Sequence, residues 1–192
     1  MIRLRTNFNL HPAIRFGRGM LALWLGVLGA GISWAADEDV YQDPEAFIAE
    51  TFADGEPAAA RTVWLTPALK PVIREIMDHD YPALRVRYWQ RDERTAWILE
   101  EIGKVKPITT GIVVEDDRIS RLKVLVYRES HGWEVKHPFF TDQFNGSELT
   151  ADHDLSERVD GISGATMSVN ALKRLGRLAL YLAAQVHETA RQ

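Results

Sequence analysis

The sequence predicts an α+β fold, an antiparallel β-sheet flanked by helices. Three observations carry the prediction. Two pairs of short apolar runs are each split by a polar turn, which is the hairpin signal. Val169, Leu172, Leu175, Leu178 or Ala179, Leu182 and Val186 recur every three to four positions, the period of an amphipathic helix. Directly ahead of that helix stands a small-residue loop, Asp160-Gly161-Ile162-Ser163-Gly164-Ala165-Thr166-Met167-Ser168.

The first residues read as targeting rather than fold. Arg3, Arg5, Arg15 and Arg18 precede an apolar core over residues 20–32, and Ser33-Trp34-Ala35 offers small residues where a signal peptidase reads, so cleavage is expected after Ala35. The apolar stretch falls short of the roughly 20 residues that span a bilayer. An uncleaved N-terminal anchor is the alternative, because Trp24, Trp34 and the upstream arginines suit one. The chain has no Cys, which excludes a lipoprotein anchor, disulfides, thiolate-held iron–sulfur clusters and covalent c-type haem. Of the 23 basic residues, four lie in residues 1–35, which hold no acid; residues 36–192 therefore carry 19 basic against 27 acidic side chains, a net charge of −8. Such an acidic domain lacks the basic stripe that nucleic-acid binding needs, so no nucleic-acid partner is expected.

The organisation expected is a signal peptide (1–35), an N-terminal accessory portion (36–108) and a C-terminal portion (109–192). Asp43-Pro44 supplies a cap and a first-turn Pro for a short helix carrying Phe47, Ile48 and Phe52. Residues 54–60 read as a linker. Thr66-Pro67 opens a second helix with Leu69, Val72, Ile73, Ile76 and Met77 on its core side, its start open to delay by Pro71. His79, between Asp78 and Asp80, reads as a solvated residue favoured by the helix dipole rather than as a metal ligand.

Arg85-Val86-Arg87-Tyr88-Trp89 and Ala96-Trp97-Ile98-Leu99 form the first hairpin pair around a polar turn at 90–94. Residues 108–114 and 122–127 form the second, around Glu115-Asp116-Asp117, and four antiparallel strands are expected. Lys104 and Lys106, in the loop between the pairs, read as solvated. Tyr127, Trp133, Phe139, Phe140 and Phe144 read as core, with Trp133 the candidate to line a planar ring. His131, His137 and His153 are too irregularly spaced for a metal cluster, and no metal ligands are assigned.

The loop at residues 160–168 places a hydroxyl where unpaired helix N–H groups and the positive end of the dipole favour an anion such as phosphate. Gly161, Gly164 and Ala165 let the backbone approach a bulky group. Ser163, Thr166 or Ser168 could alternatively serve as helix caps. Gly161-Ile162-Ser163-Gly164-Ala165 nearly matches a serine-nucleophile elbow, but Ala165 replaces its last Gly and no strong strand leads into it. A phosphate-binding P-loop fails for want of a Lys before the Thr.

Ser163-Gly164-Ala165-Thr166, with Asp160-Gly161 before it and Ser168 after it, resembles the flavinylation motif of the FMN-binding domain family. That family includes the periplasmic flavin subunits of the sodium-pumping NADH:quinone reductase and of the Rnf complex. The resemblance covers roughly residues 109–180. Residues 111–126 look like the family's strand pair, Glu129-Ser130-His131-Gly132 resembles its Glu-(Ser/Thr)-Pro-Gly loop, and residues 140–146 resemble its Phe-x-x-x-Phe-x-Gly segment. His131 departs from the usual Pro, and Trp133 follows the loop Gly.

The resemblance implies FMN held covalently by a phosphoester on Thr166 and transferred from FAD by a Mg-dependent flavin transferase. Ser163, Gly164, Ala165, Asp160, Gly161, Glu129 and Trp133 would surround it. No catalytic acid, base or nucleophile stands out. The function expected is thus an exported, periplasmic electron-transfer relay, with membrane or periplasmic redox proteins as partners. The alternative is a non-covalent ligand-binding or assembly module of the same fold in a membrane redox complex, anchored to the inner membrane if the N-terminal segment is kept.

Overall fold

The computed structural model describes residues 39–56 and 58–191; the expected signal segment, its cleavage position and the anchor alternative lie outside the described residues. Six strands, β1 (Asp39–Val40), β2 (Ala60–Trp64), β3 (Arg85–Arg91), β4 (Arg94–Ile102), β5 (Pro107–Glu115) and β6 (Arg118–Tyr127), form one antiparallel sheet in the order β1-β6-β5-β4-β3-β2. Strands β2 to β6 are a meander, and β1 returns along β6 through Asp39–Tyr127 and Val40–Val126 pairs. The helices are α1 (Pro44–Thr51), α2 (Lys70–Met77), the single turn α3 (Pro138–Thr141) and the long α4 (Thr166–Arg191).

Both expected hairpins form, and each closes through aspartates that tolerate the left-handed region better than most residues do. Asp92 (φ 52°) turns β3 into β4, while Asp116 and Asp117 (φ 51° and 60°) turn β5 into β6. Two strands join the four expected. β2 starts at Ala60, the last residue of the expected linker, and its exposed edge position leaves it without an alternating apolar pattern. β1 is two exposed residues whose strand geometry comes from pairing with β6.

Asp43 caps α1 as expected, its Oδ1 accepting the N–H groups of Glu45 and Ala46 at 2.9 Å. α2 begins at Lys70 rather than at Thr66, which puts Pro71 in the first turn, where its missing N–H costs nothing. The His79 side chain remains 42 % exposed, as expected of a solvated residue, but it also meets a partner the sequence did not show. Its Nε2 lies 3.0 Å from Oε1 of Glu101, a carboxylate only 5 % exposed that also accepts from Arg174 Nη2 at 3.2 Å. The contact with Asp80 carbonyl raises the His79 pKa, burial opposes this, and Glu101 adds to the rise.

Each sheet face has its own core. α4 lies across β4, β5 and β6 on one face, with α2 beside it, burying Trp97, Ile112, Leu122, Leu172, Leu175, Leu178, Leu182 and their neighbours. On the other face α1 sets Phe47, Ile48 and Phe52 against Ala96, Val113, Leu125 and Val126. β5, covered on both faces, is therefore buried along nearly its whole length rather than alternately. At Gly111 a Cβ would stand 2.7 Å from the Phe47 ring, so the bare backbone is what lets α1 seat.

Candidate functional site

The long helix begins at the small-residue loop. Ala165 N–H donates to Ile162 carbonyl at 3.0 Å, closing a turn that Gly164 makes at φ 83°. Val169 N–H then donates to Ala165 carbonyl at 2.9 Å. The N–H groups before Val169 belong to the stretch where a helix has no carbonyl of its own to bond, and where its dipole is positive. Ala165, Ser168 and Val169 are buried and fasten this turn to the core; Thr166 and Met167 are exposed. The acceptor expected from sequence, Thr166, is thus the exposed first residue of α4, on a buried footing.

A second loop, leaving β6, meets this turn. The Tyr127 hydroxyl donates to His131 carbonyl at 2.6 Å and accepts from the Ser168 hydroxyl at 2.9 Å. Burial pushes the Tyr127 phenol up, and the Ser168 contact only partly opposes this. It therefore remains a hydroxyl donor at neutral pH. Gly132, at φ 81°, lies so close that a Cβ there would be 3.1 Å from Ala165 Cβ, 3.1 Å from the Tyr127 oxygen and 3.2 Å from Ser168 Oγ. Gly132 is the wedge joining the two loops.

Glu129 holds the second loop from the other side. Its Oε1 accepts the backbone N–H groups of Lys104 (2.5 Å), Val105 (2.5 Å) and Lys106 (2.8 Å), fixing the β4–β5 connection. Burial pushes its carboxyl up, but those three donors outweigh burial and hold it below the usual range. At His131, where the motif departs from Pro, the side chain is exposed and lies 3.2 Å from Ser130 Oγ. Only its main-chain carbonyl faces the site, so the departure leaves the clamp intact.

The remaining expected residues are placed less tightly. Ser163 and Gly164 are exposed, and a Cβ at Gly161 or Gly164 would meet nothing within 4 Å. Asp160 N–H donates to Gln143 Oε1 at 2.8 Å, and its carboxylate pairs with exposed Arg158 at 2.9 Å. Trp133 follows the wedge glycine and is 47 % exposed, its ring edge-on to His137 at 5.6 Å, with Lys136 Nζ 5.1 Å above it. Tyr127, Phe140 and Phe144 are core, as expected, whereas Phe139 is 64 % exposed and corrects that expectation. Phe140 and Phe144 pack edge to face at 5.6 Å, and Phe144 lies against α4 at Gly176. Sequence reasoning placed Tyr127 in the core and Ser168 at a cap; their mutual bond spans 41 residues and carries no local signal. Among the described residues no group of three or more His, Cys, Asp or Glu is arranged to hold a metal ion.

The arrangement fits a phosphate-linked planar cofactor. It offers an exposed hydroxyl at a helix N-terminus, an open glycine segment beside it, and the exposed apolar side chains of Trp133 and Met167 next in sequence to its two sides. Residues 103–181 match the family model of the FMN-binding domain. No curated protein matches the chain.

Proposed function

We propose, given that residues 103–181 are an FMN-binding domain, that the chain is an exported flavoprotein carrying FMN through a phosphoester on Thr166 and relaying electrons between redox partners at or near the membrane. The observation that supports this reading best is the clamp of Tyr127, Gly132 and Ser168, which fixes the first turn of α4 while leaving Thr166 exposed. A mere helix cap needs its hydroxyl turned back to its own N–H groups, not a second loop built around the turn.

In this reading each group of the chain has a stated task. Thr166 Oγ forms the bond to the FMN phosphorus as the pyrophosphate of FAD breaks and AMP leaves; the flavin transferase takes the hydroxyl proton. The first-turn N–H groups of α4 face the phosphate and offset its charge. Trp133 and Met167 supply apolar surface for the ring, and Gly164 keeps the approach clear. Bound FMN supplies reversible electron uptake and release; the protein tunes it by burial and nearby charge. The covalent bond suits an exported domain, because outside the cytoplasm a dissociated flavin has no reliable pool to return from.

The test is the intact mass of the denatured protein after export with a flavin transferase, with fragmentation of the peptide covering residues 160–168. A gain of one FMN less water on Thr166, absent in Thr166→Val with an unchanged fold, is the expected result. An unmodified mass, with a control substrate flavinylated in the same cells, would overturn covalent attachment and leave a non-covalent module.

A further inference from the structure

α1 covers only part of its sheet face. Beyond it the face continues as a groove of about 570 Å³ whose lining includes Val40, Tyr81, Arg85, Arg87, Ile98 and Arg128. Along β3 the buried Val86 and Tyr88 alternate with exposed Arg85 and Arg87, so the two arginines lie on the face away from α4. The Arg85 guanidinium sits 5.5 Å from the ring of Trp64, its cross-strand partner, which is 59 % exposed. Among the described residues neither Arg85 nor Arg87 is paired with a carboxylate. The acids beside them are already engaged: Asp43 caps α1, and Glu100 accepts from Thr109 at 2.5 Å and lies 3.7 Å from Arg128. A cationic face of this kind is unexpected on a chain whose residues 36–192 carry a net charge of −8.

We propose that this face docks on an anionic phospholipid surface. Arginines beside an exposed Trp and the 60 % exposed Val40 match what a membrane–water interface accepts: charged heads at the phosphates and amphipathic rings at headgroup depth. Exposed Trp64 and Val40 beside the uncompensated Arg85 and Arg87 offer charge and amphipathic surface together, which favours a bilayer over an acidic protein as occupant. The proposal does not depend on flavin attachment.

Residues 35–192 form a compact unit of their own, so the test uses the chain from Ala36 onward. Flotation with phosphatidylglycerol–phosphatidylcholine vesicles is compared with flotation on phosphatidylcholine alone. Binding is expected on the anionic vesicles and is expected to fall as salt rises. With each cation near the surface worth about 1 kcal/mol, Arg85→Gln with Arg87→Gln should weaken binding roughly thirtyfold. The Arg85→Lys and Arg87→Lys pair should retain most of it, and Arg118→Gln, at a distant hairpin, should change nothing. Absence of binding, equal binding to neutral vesicles, or indifference to the double Gln variant would overturn the proposal, including the case in which an acidic protein is captured instead.

Discussion

The two segments that meet at the start of α4 are built in opposite ways. The loop from Tyr127 to Gly132 is held at every turn: three backbone donors converge on Glu129, the Tyr127 hydroxyl ties His131 to Ser168, and Gly132 fills its space completely. The segment from Asp160 to Gly164 is held by one backbone bond to Gln143, an exposed ion pair, the turn that Ala165 closes and the partly buried side chain of Ile162 against the core. Even their glycines do different work. Gly132 is small because three atoms crowd it, Gly164 because its φ is 83°, and Gly161 meets neither demand. The difference teaches how the proposed attachment site can be both positioned and accessible: the closed wall fixes the first turn of α4, and the open wall leaves room beside Thr166.

The largest effect should come from filling the closed wall. Gly132→Val puts a branched side chain at positive φ into contacts near 3.1 Å, and a loss of about 3 kcal/mol or more is expected in urea unfolding. A change under about 1 kcal/mol would show that the loops are not wedged. Glu129→Gln should cost about 2 kcal/mol by weakening charge-assisted bonds to three N–H groups. Because the folded Glu129 pKa is lowered, its stabilisation is complete above the ordinary Glu value of about 4.3 and is lost as pH falls through the lower folded value. The variant should therefore lose part of the acid-side decline in stability; an unchanged acid limb would remove Glu129 from that role. Tyr127→Phe should cost about 1–2 kcal/mol, and a cycle with Ser168→Ala should show the two effects to be non-additive.

The open wall was more legible in sequence than the closed one. Its residues are contiguous, and one short string carries the hydroxyl, the glycines and the helix start. The closed wall depends on pairs far apart in the chain: Tyr127 with Ser168, and Glu129 with a loop some 25 residues earlier. The fold follows the same division. The α4 stripe, the Asp43 cap and the hairpins rest on local periodicity and turn chemistry. β1 and β2 are strands because a neighbour offers them an edge. The His79 contact with Glu101 was not legible because Glu101, its buried partner, comes 22 residues later and belongs to a strand.

The smallest effects bear most directly on function, because they separate stability from attachment. Gly164→Ala faces open space and pays only for positive φ, about 1 kcal/mol. Gly161→Ala faces open space without that demand and should stay within about 0.5 kcal/mol. If the open wall serves only the chain's own turn, flavinylation should track stability and Gly161→Ala should be fully modified. If it serves the approach of flavin and transferase, a larger side chain such as Gly161→Leu should slow attachment well before it lowers the unfolding midpoint. Time-resolved intact mass beside urea unfolding of the same variants reads both quantities. Equal attachment rates across Gly161, Gly161→Ala and Gly161→Leu would mean that nothing bulky passes this side of Thr166, and that the approach runs over Trp133 and Met167 instead.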